Sequence, residues 1–88
     1  VVAEFELTVD EWLILDSLSR QSGQTMAQLA GETMLPASSL TRIVDKLVSS
    51  AMMYRRPNPY DKRQIFVYIS ARGEDLIALI NASLEETR

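Results

Sequence analysis

Cysteine and histidine are both missing from this sequence. The first absence rules out disulfides, thiolate zinc sites and cysteine redox sensing, and it fits a reducing compartment. Together the two absences rule out a histidine-based triad and a thiol nucleophile. Glycine is scarce, with three in the chain, and none of them belongs to a phosphate-cradling loop. The adjacent acidic pairs Glu74-Asp75 and Glu85-Glu86 fall on helix surfaces facing water and read as solvated charge. No apolar run approaches the roughly 18 residues needed to span a bilayer, and the first residues lack the basic-then-apolar layout of a signal peptide. These absences predict a cytoplasmic protein that is not an enzyme, holds neither metal nor cofactor, and has no business with a membrane.

What is present suffices for one core. The chain has 88 residues, 47% of them hydrophobic and 24% charged, an ordinary globular balance at a length that buries roughly two-thirds of the unfolded surface. A net charge of -3 disfavours an anionic partner at first sight. The distribution reverses that view. Residues 1–35 set Arg20 against Glu4, Glu6, Asp10, Glu11, Asp16 and Glu32, a balance of -5. Residues 36–63 set Arg42, Lys46, Arg55, Arg56, Lys62 and Arg63 against Asp45 and Asp61, a balance of +4, and residues 64–88 return to -2. Basic charge gathered into one 28-residue stretch points to an anionic partner.

Thr8 and Glu11 form a capping box that starts a helix at Val9, with Trp12, Ile14, Leu15 and Leu18 on its inner side and Gly23 as its stop. Thr25 and Gln28 repeat the box for a second helix that ends near Met34, because Leu35 precedes a proline. From Ala37, the residues Leu40, Ile43, Val44, Leu47 and Val48 give the strongest helical periodicity in the chain. Ser38, Arg42, Asp45 and Ser49 project opposite, flanked by Ser39, Thr41 and Lys46. Two extended runs follow, with Ile65, Val67 and Ile69 alternating against Phe66 and Tyr68, and the segment Pro57–Arg63 between them reads as an exposed, basic hairpin tip. Ser70 caps a last helix whose Leu76, Ile77, Leu79, Ile80 and Leu84 span an arc wide for one small core. Trp12 and the four methionines read as packing residues.

Three helices, a short turn and a hairpin with a basic tip describe a winged helix-turn-helix: mostly α, with a three-helix core, a two-stranded wing and a C-terminal helix. One domain over residues 1–88 is expected, with helices at about 9–21, 26–34 and 37–50, a wing at about 52–69 and a last helix at about 71–86. A helix some 10–12 Å across fits a major groove of roughly 12 Å if its presented face is small and polar. Ser38, Ser39, Thr41 and Arg42 meet that requirement, with Arg42 suited to a two-bond contact with guanine and the hydroxyls to phosphate or base edges. Lys46 is better placed for phosphate. Arg63 or Lys62 suits a narrow minor groove, and Asp61 is placed to orient the Arg63 guanidinium. Asp45, near this face, needs a cationic partner, either Arg42 or an arginine of the wing.

These segments resemble the multiple-antibiotic-resistance regulator (MarR) family. The likeness rests on Leu7-Thr8-x-x-x-Trp12-x-x-Leu15, Leu40-Thr41-Arg42-x-x-Asp45-x-Leu47, Arg55-x-Pro57-x-Pro59-x-Asp61-x-Arg63 and Ser70-x-x-Gly73, in order across most of the chain. The chain departs from the family pattern at Met34 and Ala51, where glycine is usual, and at Pro36, where a hydroxyl cap is usual. The resemblance implies a DNA-binding transcriptional repressor that works as a homodimer on a pseudo-palindromic double-stranded operator and answers to a small aromatic or anionic effector. It implies dimer-forming helices beyond those read here. It also assigns Ser38, Ser39, Thr41 and Arg42 to the major groove and Arg63, paired with Asp61, to the wing contact. Two rival readings are a winged-helix module for protein contacts, which an apolar third-helix face would favour, and a ligand sensor without DNA binding, for which the sequence carries no positive mark.

Overall fold

A computed structural model describes residues 7–86 of the chain. Its elements run α1 (Val9–Arg20), β1 (Gln24–Thr25), α2 (Met26–Thr33), α3 (Ala37–Ser49), β2 (Met53–Asn58), β3 (Asp61–Ile69) and α4 (Ala71–Glu86). Both capping boxes are formed. The Thr8 hydroxyl accepts from the Glu11 amide at 3.1 Å, and the Thr25 hydroxyl accepts from the Gln28 amide at 3.1 Å while the Gln28 side chain accepts from the Thr25 amide at 2.8 Å. Each box satisfies backbone donors that have no partner inside a helix, which is why α1 and α2 begin where they do.

The apolar stripes of the helices and the inner face of the sheet meet in one core. Ile14, Leu15 and Leu18 of α1, Leu29 of α2, Leu40, Val44 and Leu47 of α3, and Met53, Val67 and Ile69 of the sheet are all buried. Trp12 is half-buried at the edge of this core and donates its indole N–H to Asn81 Oδ1 of α4 at 3.2 Å. The wide apolar arc of α4 divides: Ile77 and Ile80 are buried, Leu76 is half-buried and Leu79 is exposed. Leu84, counted in that arc, lies outside the described side chains. Among the described residues no helix is long and apolar enough to cross a membrane.

The sheet holds three antiparallel strands in the order β1-β3-β2. Strand β1 has two residues, pairing Gln24 with Val67 and Thr25 with Phe66, too few for any alternation to be read from sequence. Its buried Gln24 amide donates to the Ser17 and Gln21 carbonyls at 3.2 and 2.9 Å, tying the end of α1 to the sheet. The hairpin also departs from the expected one. Pro57 and Asn58 lie in β2 and Asp61 to Arg63 in β3, which shortens the tip to Pro59-Tyr60. Pro57 is tolerated because β2 is an edge strand with one side free of ladder partners. Ile65 alternates with Phe66 as the period requires, yet it is 46% exposed. The core ends at Val67, and the strands beyond it project into solvent.

Two helix ends use left-handed backbone without glycine: Met34 after α2 and Ala51 after α3 both have φ of 61°. The Met52 amide reaches back to the Leu47 carbonyl at 3.0 Å, the long bond of a Schellman cap. A β-carbon makes this conformation costly by about 1 kcal/mol. Both side chains are exposed, Met34 at 85%, so nothing in the core depends on them. Met34→Gly and Ala51→Gly are each expected to raise stability by about 0.5–1 kcal/mol, measured by urea unfolding. Lowered midpoints would show that the native backbone does not need the left-handed form.

The start of α4 is locked to the turn that follows α3. The Ser70 hydroxyl donates to the Ala51 carbonyl at 2.7 Å and accepts from the Gly73 amide at 3.1 Å, while the Ser70 amide donates to the Met52 carbonyl at 3.0 Å. Gly73 is buried, and a β-carbon there would overlap the Met52 carbonyl oxygen and lie 2.8 Å from Ile69 Cγ1. The Ser-x-x-Gly segment is therefore a structural clamp between the two helices.

Candidate nucleic-acid interface

Helix α3 turns its apolar stripe inward, and the spacing that buries Leu40, Ile43, Val44 and Leu47 necessarily puts Ser38, Thr41, Arg42 and Asp45 outside. All four are exposed, and Ser39 is half-buried at the edge of the face. Arg42 has no ion-pair partner among the described residues. The Thr41 hydroxyl donates to the Ala37 carbonyl at 3.0 Å, which leaves its oxygen outward as an acceptor. As oriented, it suits a base amino group better than a phosphate.

The far end of α3 is held from both sides. Lys46 Nζ lies 2.9 Å from Glu11 Oε1, and Glu11, on the first turn of α1, is only 3% exposed. One of the three lysine donors therefore faces α1, with the mostly exposed remainder free to meet a phosphate. On the other flank, Arg55 of β2 pairs with Asp45, so the wing supplies the cation that Asp45 needs and Arg42 is left unpaired. An exposed pair of this sort contributes only ~0–1 kcal/mol to stability. Its consequence is geometric: α1 and the wing share the job of fixing α3.

The wing is stiffened along its length. Tyr54 and Tyr68, directly opposed in β2 and β3, stack with ring centroids 5.4 Å apart, and the Arg56 guanidinium sits 4.9 Å above the Tyr54 ring. Gly23, with φ of +84°, leaves room for the Tyr68 ring, which would otherwise meet a β-carbon at 2.9 Å. Nearer the tip, Asn58 Nδ2 donates to Gln64 Oε1 at 2.7 Å and Asn58 Oδ1 accepts from the Tyr60 amide at 2.9 Å. Asp61 Oδ1 accepts from both the backbone amide and Nε of Arg63, at 3.0 and 3.2 Å. Lys62 is exposed and has no ion-pair partner among the described residues.

The molecule thus presents a polar helix face carrying one unpaired arginine beside a projecting basic hairpin. Three residues that shape this surface have no local signature in the sequence. Glu11 is visible as a cap but not as the partner of Lys46, 35 positions away. Arg55 is visible as one of several charges but not as the partner of Asp45, and Tyr60 is hidden in a turn. Among the described residues no group of three or more acidic side chains is arranged to hold a metal ion.

The sequence profile of the MarR family matches residues 7–65. The HTH-type transcriptional regulator MhqR of Bacillus subtilis is 30% identical over 71 residues, which cover 81% of this chain and 49% of that regulator. The crystal structure of a MarR mutant from E. coli superposes with a TM-score of 0.84 at 27% identity, covering 89% of this chain and 57% of that one. A MarR mutant from E. coli complexed with operator DNA gives 0.76 at 29% identity, covering 86% and 54%. The chain spans about half the length of the curated relatives it matches. With the family profile running from the start of the Trp12 helix through the tip of the wing, this chain belongs to the MarR family.

Proposed function

We propose that this chain is the DNA-binding lobe of a transcriptional repressor, with α3 in the major groove and the wing in the adjacent minor groove. The observation that carries the reading is the exposed α3 face, on which Arg42 stands unpaired while the neighbouring acid, Asp45, is neutralised by the wing. Kinship with an E. coli MarR mutant crystallised on operator DNA supports it. Arg42 reads guanine through two parallel hydrogen bonds, Thr41 accepts from a base amino group, and Ser38 and Ser39 contact base edges or phosphate. Lys46 and Lys62 meet phosphates. Arg63, held by Asp61, enters the minor groove, where a narrow A·T-rich stretch concentrates negative potential. The lobe works by binding alone, without catalysis, in the cytoplasm.

The full-length protein acts as a homodimer on a pseudo-palindromic operator, whose half-sites lie about one helical turn, roughly 34–36 Å, apart. The small aromatic or anionic effector that family kinship implies belongs to the same proposal. The test is duplex binding across a salt titration, with a pool of random operators, on this chain and on a form fused to a dimerising coiled coil. Binding that falls steeply with salt and selects a palindrome in the fused form is expected. If both folded forms ignore every duplex, the α3 face serves another partner.

A further inference from the structure

Tyr60 lies outside the residues assigned to DNA above, and its surroundings set it apart. It is 96% exposed, the most open large hydrophobic side chain among those described, so its ring covers no part of this chain. The two central positions of a tight turn ordinarily favour glycine, asparagine, aspartate or serine, so the turn itself does not call for an aromatic. Its backbone is nevertheless firmly set. The Tyr60 amide is bonded to Asn58, Asn58 is bonded across the hairpin to Gln64, and Pro57 and Pro59 restrict the chain on the approach. From Val67, where the core ends, β3 runs six residues to Asp61, a reach of roughly 20 Å at about 3.3 Å per residue. The ring is therefore held well clear of the body of the protein, two residues from Lys62 and three from Arg63.

Resting on the DNA-binding reading, we infer that Tyr60 is a nonionic minor-groove contact, its ring packed edgewise between the sugar walls beside Arg63. The groove is about 6 Å wide, enough for the thickness of an aromatic ring, and its walls are built of apolar sugar C–H groups. Proteins that bind this groove commonly add apolar side chains to their cationic ones. Because the turn backbone is already ordered, seating the ring costs only the freedom of its two side-chain torsions. A contact of this kind adds affinity without displacing counterions, which separates it from Lys62 and Arg63.

The experiment is a salt titration of duplex binding by this chain, fused to a dimerising coiled coil and probed with a duplex selected from the random pool by the parent. Tyr60→Ala is expected to weaken binding about tenfold for each lobe, the effect of burying roughly 60 Å² of ring, and so about a hundredfold for the two-lobed fused form, by the same factor at every salt concentration. Tyr60→Phe should stay within about twofold of the parent, since the ring is retained. Arg63→Ala should instead flatten the plot of log K against log salt by about 0.9 for each lobe, about 1.8 for the fused form with its two lobes. Because Tyr60 touches no core residue, circular dichroism of its variants should match the parent. Parent-like binding by Tyr60→Ala, a flattened slope for it, or a Tyr60→Phe as weak as Tyr60→Ala overturns the inference while leaving the DNA-binding reading intact. A folded parent that binds no duplex overturns both, and the fault then lies in that underlying reading.

Discussion

Replacing Arg42 and Arg63 together with alanine is expected to abolish specific duplex binding while leaving the fold unchanged. Arg42 has no ion-pair partner among the described residues, so its removal strands no charge inside the protein. Arg63 loses only an exposed pair with Asp61, worth ~0–1 kcal/mol to stability. Against that small structural cost stands the binding cost. A bidentate arginine–guanine contact is worth about 1–3 kcal/mol of discrimination, so Arg42→Ala alone should weaken selected sites roughly tenfold to a hundredfold and leave random duplex much less affected. Arg63→Ala should weaken binding to all sequences with A·T-rich flanks and reduce the salt slope by about 0.9 for each lobe bound. The double variant combines both losses, about a hundredfold or more. Fluorescence anisotropy on selected and scrambled duplexes separates the two effects, with thermal melting as the check on folding. A folded double variant that binds as tightly as the parent would place the interface elsewhere on the molecule.

The second large effect is on stability, and helix propensity alone gets its sign wrong. Gly73 sits within α4, where exchanging glycine for alanine ordinarily gains about 1 kcal/mol. Here the added methyl group would overlap the Met52 carbonyl oxygen, which already accepts the Ser70 amide. Backbone cannot yield as a flexible side chain can. The first turn of α4 must back away, loosening the bonds from Ser70 to Ala51 and from Gly73 to Ser70. Overpacking of this kind costs about 1–3 kcal/mol and each weakened hydrogen bond about 1 more. Gly73→Ala should therefore destabilise by about 3 kcal/mol, lowering Tm by roughly 12–24 °C for a chain of this size. A Tm at or above that of the parent would mean that the clamp is slack.

The two effects bear on different parts of the same device. Arg42 and Arg63 are the proposed contacts, whereas Gly73 and Ser70 hold α4 against the turn between α3 and the wing and so help set the angle between those two elements. Asp45 with Arg55, and Lys46 with Glu11, complete that frame. A lobe that reads two adjacent grooves depends on the relative placement of two elements more than on either alone.

Much of this was legible from local pattern. Capping boxes at Thr8 and Thr25 start helices where the structure starts them, because the cap is a contact between residues three apart. The stripe from Leu40 to Val48 identifies both the buried side of α3 and, by exclusion, the polar face that carries Arg42. The alternation from Ile65 to Ile69 marks a strand, and the charge map singles out the stretch from Pro36 to Arg63.

The residues that escaped pattern did so for physical reasons. Gln24 and Thr25 form a strand only because β3 passes beside them, and two residues have no periodicity of their own. Ile65 keeps the alternation of a core residue but sits beyond the point where helices cover the sheet, so period correctly gave its face and could not give its burial. The prolines at 57 and 59 read as a long turn, whereas an edge position lets one of them join a strand. The left-handed backbone at Met34 and Ala51 is imposed by the packing of the helices they end, against the preference of both residues.

By itself, then, the order of amino acids determined the number and type of helices, the wing, the polar face of α3 and the basic stretch, since each depends on residues within a turn or two of one another. Tertiary structure alone decided which charges remain available. It gave Asp45 to Arg55 and a donor of Lys46 to Glu11, left Arg42 open, placed Gly73 against Met52 and lifted Tyr60 off the body of the protein. Such pairings join residues as much as 35 positions apart, and only the packing of the helices against the sheet brings them within reach.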